Sequence, residues 1–126
     1  MSHRPGSLSA RLSSSIAVLV VEDEPDIAGL LGAFFRASGL GLVHVNPRTV
    51  DDVLDALHEH TPRCVLLDIN LAGLSGLDVL AAIRSGTDHR DVPVLVVSAD
   101  SSRATRDRAE DLDVAGYVTK PFSVTD

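Results

Sequence analysis

The sequence predicts an α/β fold, an open doubly wound sheet of five parallel strands, on three observations. Five short apolar runs recur along the chain: Ile16 to Val21, Leu42 to Val45, Cys64 to Leu67, Val94 to Val97 and Gly116 to Thr119. Stretches of helical period separate them, the alternation that builds βαβ units with right-handed crossovers. Most of the runs are continuously apolar, as strands covered on both faces must be. A length of 126 residues allows one domain with one core.

The elements follow in order. Residues 1–15 are rich in Ser and Arg and lack acids, so they are expected to form a disordered tail, leaving 16–126 as the domain. The first strand meets Glu22-Asp23-Glu24 directly and is too short to span a bilayer. Pro25 and Asp26 suit a first helical turn, and Ile27, Leu30, Leu31, Phe34 and Phe35 then share one face until Gly39 ends the helix. Gly29 and Gly32, mid-helix, read as packing residues. Thr49 is placed to cap a second helix that uses Val50, Val53, Leu54 and Leu57 and stops before Pro62. Gly76 opens a third, with Leu77, Leu80 and Ile83 inward and Gly86 after it. A fourth, from about Ser102 to Leu112, carries many charges and a thin apolar stripe, so it should be the most exposed and mobile. The fifth run, weakest of the strands, suits a sheet edge.

Composition narrows the partners. An apolar fraction of 44% and a mean hydropathy of +0.17 exclude disorder over most of the length. The formal net charge of −7 would repel a phosphate backbone, which argues against nucleic acid as a direct partner. No run is long enough for a membrane span, and the single cysteine, Cys64, cannot form an internal disulfide, so a cytoplasmic location is expected. Cys64 heads a strand and reads as core. The five histidines form no metal-spaced cluster, and His58 and His60 read as surface residues.

Polar residues sit where the strands end. Glu22, Asp23 and Glu24 follow the first strand, Asp68 and Asn70 the third, Ser98 the fourth and Lys120, the chain's only lysine, the fifth. In a doubly wound sheet that edge is where ligands bind. Each residue also has a plainer explanation: Glu24 and Asp26 favour a helix dipole, Ser98 a helix cap, a lone Asp a turn. Their joint placement at matched strand ends does not. Carboxylates about 4 Å apart repel by about 4 kcal/mol per pair at an effective dielectric near 20. A hard divalent ion such as Mg²⁺, with Lys120, would compensate, and phosphoryl transfer needs chiefly such positioning and neutralisation.

These residues resemble the receiver domain of two-component response regulators, with a flavodoxin-like fold. The resemblance covers about Ile16 to Phe122 and rests on Val20-Val21-Glu22-Asp23-Glu24-Pro25, on Leu66-Leu67-Asp68-Ile69-Asn70 with Gly76 eight residues after the aspartate, on Val97-Ser98-Ala99, and on Tyr117-Val118-Thr119-Lys120-Pro121-Phe122. It implies strand order 2-1-3-4-5 and a phosphoryl group passed to Asp68 from a histidine kinase or phosphotransfer protein. It further implies Mg²⁺ held by Glu22, Asp23, Asp68 and the backbone carbonyl of Asn70, with Lys120 on the phosphoryl oxygens. Ser98 and Tyr117 would act as switch residues and the fourth helix and fifth strand as the output face. Such a domain is not an enzyme beyond its own phosphorylation and dephosphorylation.

The chain departs from that pattern in places. Glu22 replaces the usual first aspartate, Leu71-Ala72 stands where Met-Pro is typical and should loosen the loop, and Asp113 replaces a glycine at the end of the fourth helix. Asn70 and Asp100 could orient a water and shorten the phosphoryl lifetime. Ser123 to Asp126 has the outline of a capping box where a fifth helix normally follows, so the chain is expected to be a fragment or to lack that helix, inviting dimerisation through the uncovered face. The competing readings are a haloacid-dehalogenase-type phosphatase, disfavoured because Asn70 cannot exchange a proton, a flavodoxin-like nucleotide binder, disfavoured by the lack of a Gly-rich phosphate loop, and a phosphorylation-independent pseudo-receiver used for docking or dimerisation.

Overall fold

The computed structural model describes residues 17–24, 29, 30, 32, 33 and 36–120. The tail 1–15, Pro25 to Ile27, Leu31, Phe34, Phe35 and the residues after Lys120 lie outside them, and with them the expected capping box.

Five parallel strands form one sheet: β1 (Val18–Val21), β2 (Leu42–Val45), β3 (Cys64–Leu67), β6 (Val94–Ser98) and β7 (Gly116–Thr119), in the spatial order β2-β1-β3-β6-β7. Counting these strands alone, that is the expected order 2-1-3-4-5. Three helices are fully described: α1 (Val50–His60), α2 (Gly76–Ser85) and α3 (Arg103–Asp111). The described residues between 29 and 37 are helical as well. A feature the sequence did not announce is a small antiparallel pair, β4 (Asn70–Leu71) with β5 (Leu74–Ser75), inserted between β3 and α2.

Strand alternation divides the core. Leu19, Val21, Val65, Leu67, Val94 and Val96 face one side, where Val53 and Leu57 of α1, Val79, Leu80 and Ile83 of α2 and Ala109 of α3 meet them. Val18, Val20 and Leu66 face the other side with the partly buried Ala17, Leu42, Cys64 and Leu95. A groove of about 510 Å³ opens on that second face, lined by Ala17, Leu40, Cys64, Leu66 and Leu95 among others. Leu30, expected on an inward face, is 41% exposed, and a Cβ at Gly29 would meet nothing within 4 Å, whereas Gly32 is buried. Helical spacing marks a face, but the neighbouring elements decide how far around the helix burial extends.

Local signals place the helices. Thr49 Oγ1 accepts from Asp52 N, and the Asp52 carboxylate accepts from Thr49 N and from Arg48 N, a complete capping box. The chain leaves α1 through Thr61 in the left-handed region (φ 40°) and leaves α3 through Asp113 (φ 61°). Asp113 thus takes the conformation for which a glycine is usual, and its N–H donates to Glu110 O. Thr49→Ala is expected to cost about 1 kcal/mol in urea denaturation. The two backbone hydrogen bonds hold the Asp52 carboxyl below its ordinary 3.8. A depressed carboxyl stabilises the fold above its unfolded pKa and loses that contribution as pH falls through the folded value. Asp52→Asn should therefore flatten the acid limb of the stability profile below about pH 4.

Candidate acceptor site

The register of the sheet aligns the strand ends. Val21 pairs with Val45 and Leu67, Leu67 with Val96 and Ser98 with Thr119, so residues 22, 68, 98 and 120 emerge along one edge. Lys120 N–H donates to Ser98 O, and Asp68 N–H to Val21 O. These bonds extend the ladder one residue past the apolar runs and fix where the side chains start.

The ammonium of Lys120 closes the site. Its Nζ lies 2.8 Å from Glu22 Oε2, 2.9 Å from Asp68 Oδ2 and 3.0 Å from Glu24 Oε1. Glu22 and Asp68 are 2% and 3% exposed, and Ser98 is fully buried. Asp68 Oδ1 accepts from Asn70 N at 2.9 Å, and Ser98 Oγ accepts from Asp100 N at 3.1 Å and from Asn70 Nδ2 at 3.4 Å. Asp23 faces the hairpin loop, where its Oδ2 accepts from Ala72 N at 2.8 Å. That bond, the β4–β5 pairing and Gly73 at φ 71° tie the loop that the missing Met-Pro was expected to loosen.

The charges of the site do not balance. Ligand atoms of Glu22, Asp23, Glu24 and Asp68 lie within 4.8 Å of one another against one ammonium. Burial, with the neighbouring Asp68 charge, pushes the Glu22 carboxyl up to about 7 despite its hydrogen bond to Lys120. Burial alone would lower the Lys120 pKa, but hydrogen bonds to Glu22, Asp68 and Glu24 reverse this and raise it, so the lysine stays charged. Four carboxylates in an all-oxygen cluster, with excess negative charge, fit a hard divalent cation.

One member of the site escaped the sequence reading, and another takes a partner that the reading did not assign. Glu24, placed at the first strand end but given no metal or lysine contact, is a third partner of Lys120. His44, on β2, donates from Nε2 to the backbone carbonyl of Glu22, pinning the acidic turn. The sole sequence signal for His44 was one polar residue interrupting an apolar strand. Tyr117, by contrast, falls as expected on β7: its hydroxyl donates to Asp100 O, and burial pushes that hydroxyl's pKa up while the nearby Ser98 hydroxyl pulls it back. The Asp100 carboxylate accepts from Ser102 N (2.9 Å) and Thr105 Oγ1 (2.8 Å), so both its oxygens serve the start of α3.

Comparisons with known proteins agree with this geometry. The family model of the response regulator receiver domain matches residues 18–126. The transcriptional regulatory protein KdpE of Mycobacterium tuberculosis is 36% identical over 107 residues, covering 85% of this chain and 45% of KdpE. The chain thus spans about half the length of that relative. The polar-differentiation response regulator DivK of Brucella ovis is 31% identical over 108 residues, covering 86% of each chain. The Mn²⁺-bound structure of the response regulator Rcp1 superposes with a TM-score of 0.73 at 25% identity, covering 88% of this chain and 85% of that one. With the sheet order, the acidic edge and the family match in agreement, the chain belongs to the response regulator receiver domains, the signalling modules of two-component systems.

Proposed function

We propose that this domain, 16–126, receives a phosphoryl group on Asp68 from the phosphohistidine of a histidine kinase or phosphotransfer protein. The observation that carries the reading is the buried Asp68 carboxylate held between Lys120 Nζ and Asn70 N, amid an excess of oxygen ligands. An Asp68 oxygen attacks phosphorus in line, the P–N bond breaks as the P–O bond forms, and the imidazole keeps the electron pair and takes up a proton. Lys120 neutralises the phosphoryl oxygens, and Ser98 donates its hydroxyl proton to one of them. Glu22, Asp23, Asp68 and the Asn70 carbonyl would hold Mg²⁺, which supplies charge neutralisation when bound. The Mn²⁺ reported for Rcp1 supports a divalent ion here. Tyr117 and Ser98 would transmit the change to the face made by α3 and β7, and the domain would work in the cytoplasm. No described helix is long and apolar enough to cross a membrane.

Acetyl phosphate with Mg²⁺ should add one phosphoryl group per chain that hydroxylamine removes, as it does an acyl phosphate, and EDTA should prevent it. Absence of labelling, with no response to beryllofluoride, would favour the phosphorylation-independent docking module. The lifetime of the phosphoryl state is a separate test. Asn70→Ala should slow dephosphorylation by more than Asp100→Ala, because the Asp100 carboxylate is already engaged by α3. Equal rates for both variants and the wild type would exclude either residue from orienting the water.

A further inference from the structure

The helix α3 is nearly free of the core, yet it is fastened at both ends. Among its residues Ala109 alone is buried, Thr105 and Arg106 are half-buried, and the others are exposed. Its far end is tied to the frame by Arg84 of α2, whose guanidinium donates to the carbonyls of Leu112 (2.8 Å) and Asp113 (2.8 Å) and also to those of Arg90 and Val92. Nearer the site, Arg106 holds the helix to β7. Its Cζ lies 4.7 Å from the centre of the Tyr117 ring, and its Nη2 donates to Thr119 Oγ1 at 2.9 Å. Thr119 pairs with Ser98 and precedes Lys120.

We propose that Arg106 is a positioning residue, a clasp that keeps the Tyr117 ring turned in against the start of α3, so that movement of α3 and reorientation of Tyr117 occur as one event. A planar guanidinium can stack on the ring and still direct an N–H to the Thr119 hydroxyl; an ammonium offers the charge without the fork. Because Tyr117 donates to Asp100 O while Asp100 N donates to Ser98 Oγ, the clasp is two hydrogen bonds from the Ser98 hydroxyl. Its regulatory sense rests on the phosphoacceptor reading; its structural content does not.

Tyr117 is the chain's single tyrosine and there is no tryptophan, so tyrosine emission of the full chain reads this ring alone. Arg106→Leu should shift the balance of turned-in to turned-out ring about fivefold, seen as a higher acrylamide quenching constant without any phosphoryl analogue. The same variant should bind beryllofluoride more weakly in the presence of Mg²⁺, by at most the same fivefold, with affinity for Mg²⁺ alone unchanged, since apparent affinity falls with the fraction of chains in the turned-in state. Thr119→Val should shift both readouts in the same direction by less, and Arg106→Lys should restore part of the quenching protection. Unchanged quenching in Arg106→Leu, with circular dichroism showing the fold intact, would overturn the proposal; if that variant does not fold, Thr119→Val and Arg106→Lys decide in its place. A wild type that ignores beryllofluoride would defeat the phosphoacceptor reading instead, and the quenching comparison would still judge Arg106.

Discussion

Asp68→Asn is expected to abolish phosphoryl incorporation while making the unmodified protein more stable. The loss of labelling follows from chemistry, because an amide oxygen cannot form the acyl phosphate. The gain in stability follows from the charges: four carboxylates share one ammonium, with Asp68 only 3% exposed. Removing one charge relieves repulsions of up to about 4 kcal/mol per close pair. The hydrogen bond from Lys120 to Asp68 is weakened in return, and a hydrogen bond to a charged group contributes about 1.5–3 kcal/mol. The balance is a gain on the order of 1 kcal/mol in urea denaturation without divalent ions. Lys120→Met should have the opposite sign. It leaves buried carboxylates unpaired, at a cost of about 3 kcal/mol that Mg²⁺ should partly restore. An Asp68→Asn protein that is still labelled places the acceptor elsewhere, and one less stable than wild type refutes the repulsion argument.

Gly76→Ala is expected to be the most damaging single-methyl change in the domain. A Cβ at Gly76 would lie 2.2 Å from Asp68 O and 2.5 Å from Ile69 Cα, backbone atoms that cannot swing aside. Gly76 N–H also donates to Ile69 O at 2.7 Å, so the start of α2 is pressed against the peptide that carries the acceptor. The methyl would force α2 outward, strain the Asn70↔Ser75 pairing and shift Asp68. A loss of about 3 kcal/mol is expected, with a fall in Tm of about 12 °C or more. Phosphorylation should also slow, since the reacting carboxylate is displaced. Gly86→Ala, at the other end of the same helix, is the control. Its Cβ would meet Ile83 O at 3.5 Å and Ala82 O at 3.6 Å, ordinary contacts, and the backbone there (φ −75°) suits alanine. That change should be neutral or slightly stabilising. Equal losses at the two positions would show that glycine's conformational freedom, rather than the close approach at Asp68, is what matters.

Much of this molecule was legible before its coordinates. The apolar runs from Val18 onward, the Thr49 cap, the fourth helix from about Ser102 and the opening of α2 at Gly76 fell where the structure has them, because strand and helix periods and capping are local properties; the cap of that fourth helix is Ser102 and not Ser98, the one the sequence suggested. The edge of polar residues was legible for the same reason: Glu22, Asp68, Ser98 and Lys120 each sit at or next to a strand end, and parallel register brings such ends together. Gly76 could be noted by its spacing from Asp68, but its purpose, the space a methyl would take, needed the helix in place. Leu30 was misjudged because period gives a face and not its width.

The sequence by itself determined the elements, their order and the chemical kinds gathered at the carboxyl edge, since these depend on residues near one another in the chain. Tertiary structure decided which partners those residues take: Glu24 on Lys120, His44 on the Glu22 carbonyl, Arg84 across two loops and Arg106 over Tyr117. Each of these contacts joins side chains to groups from 6 to 96 residues away. Their geometry exists only once sheet register and helix packing have fixed the distances, and no local pattern encodes it.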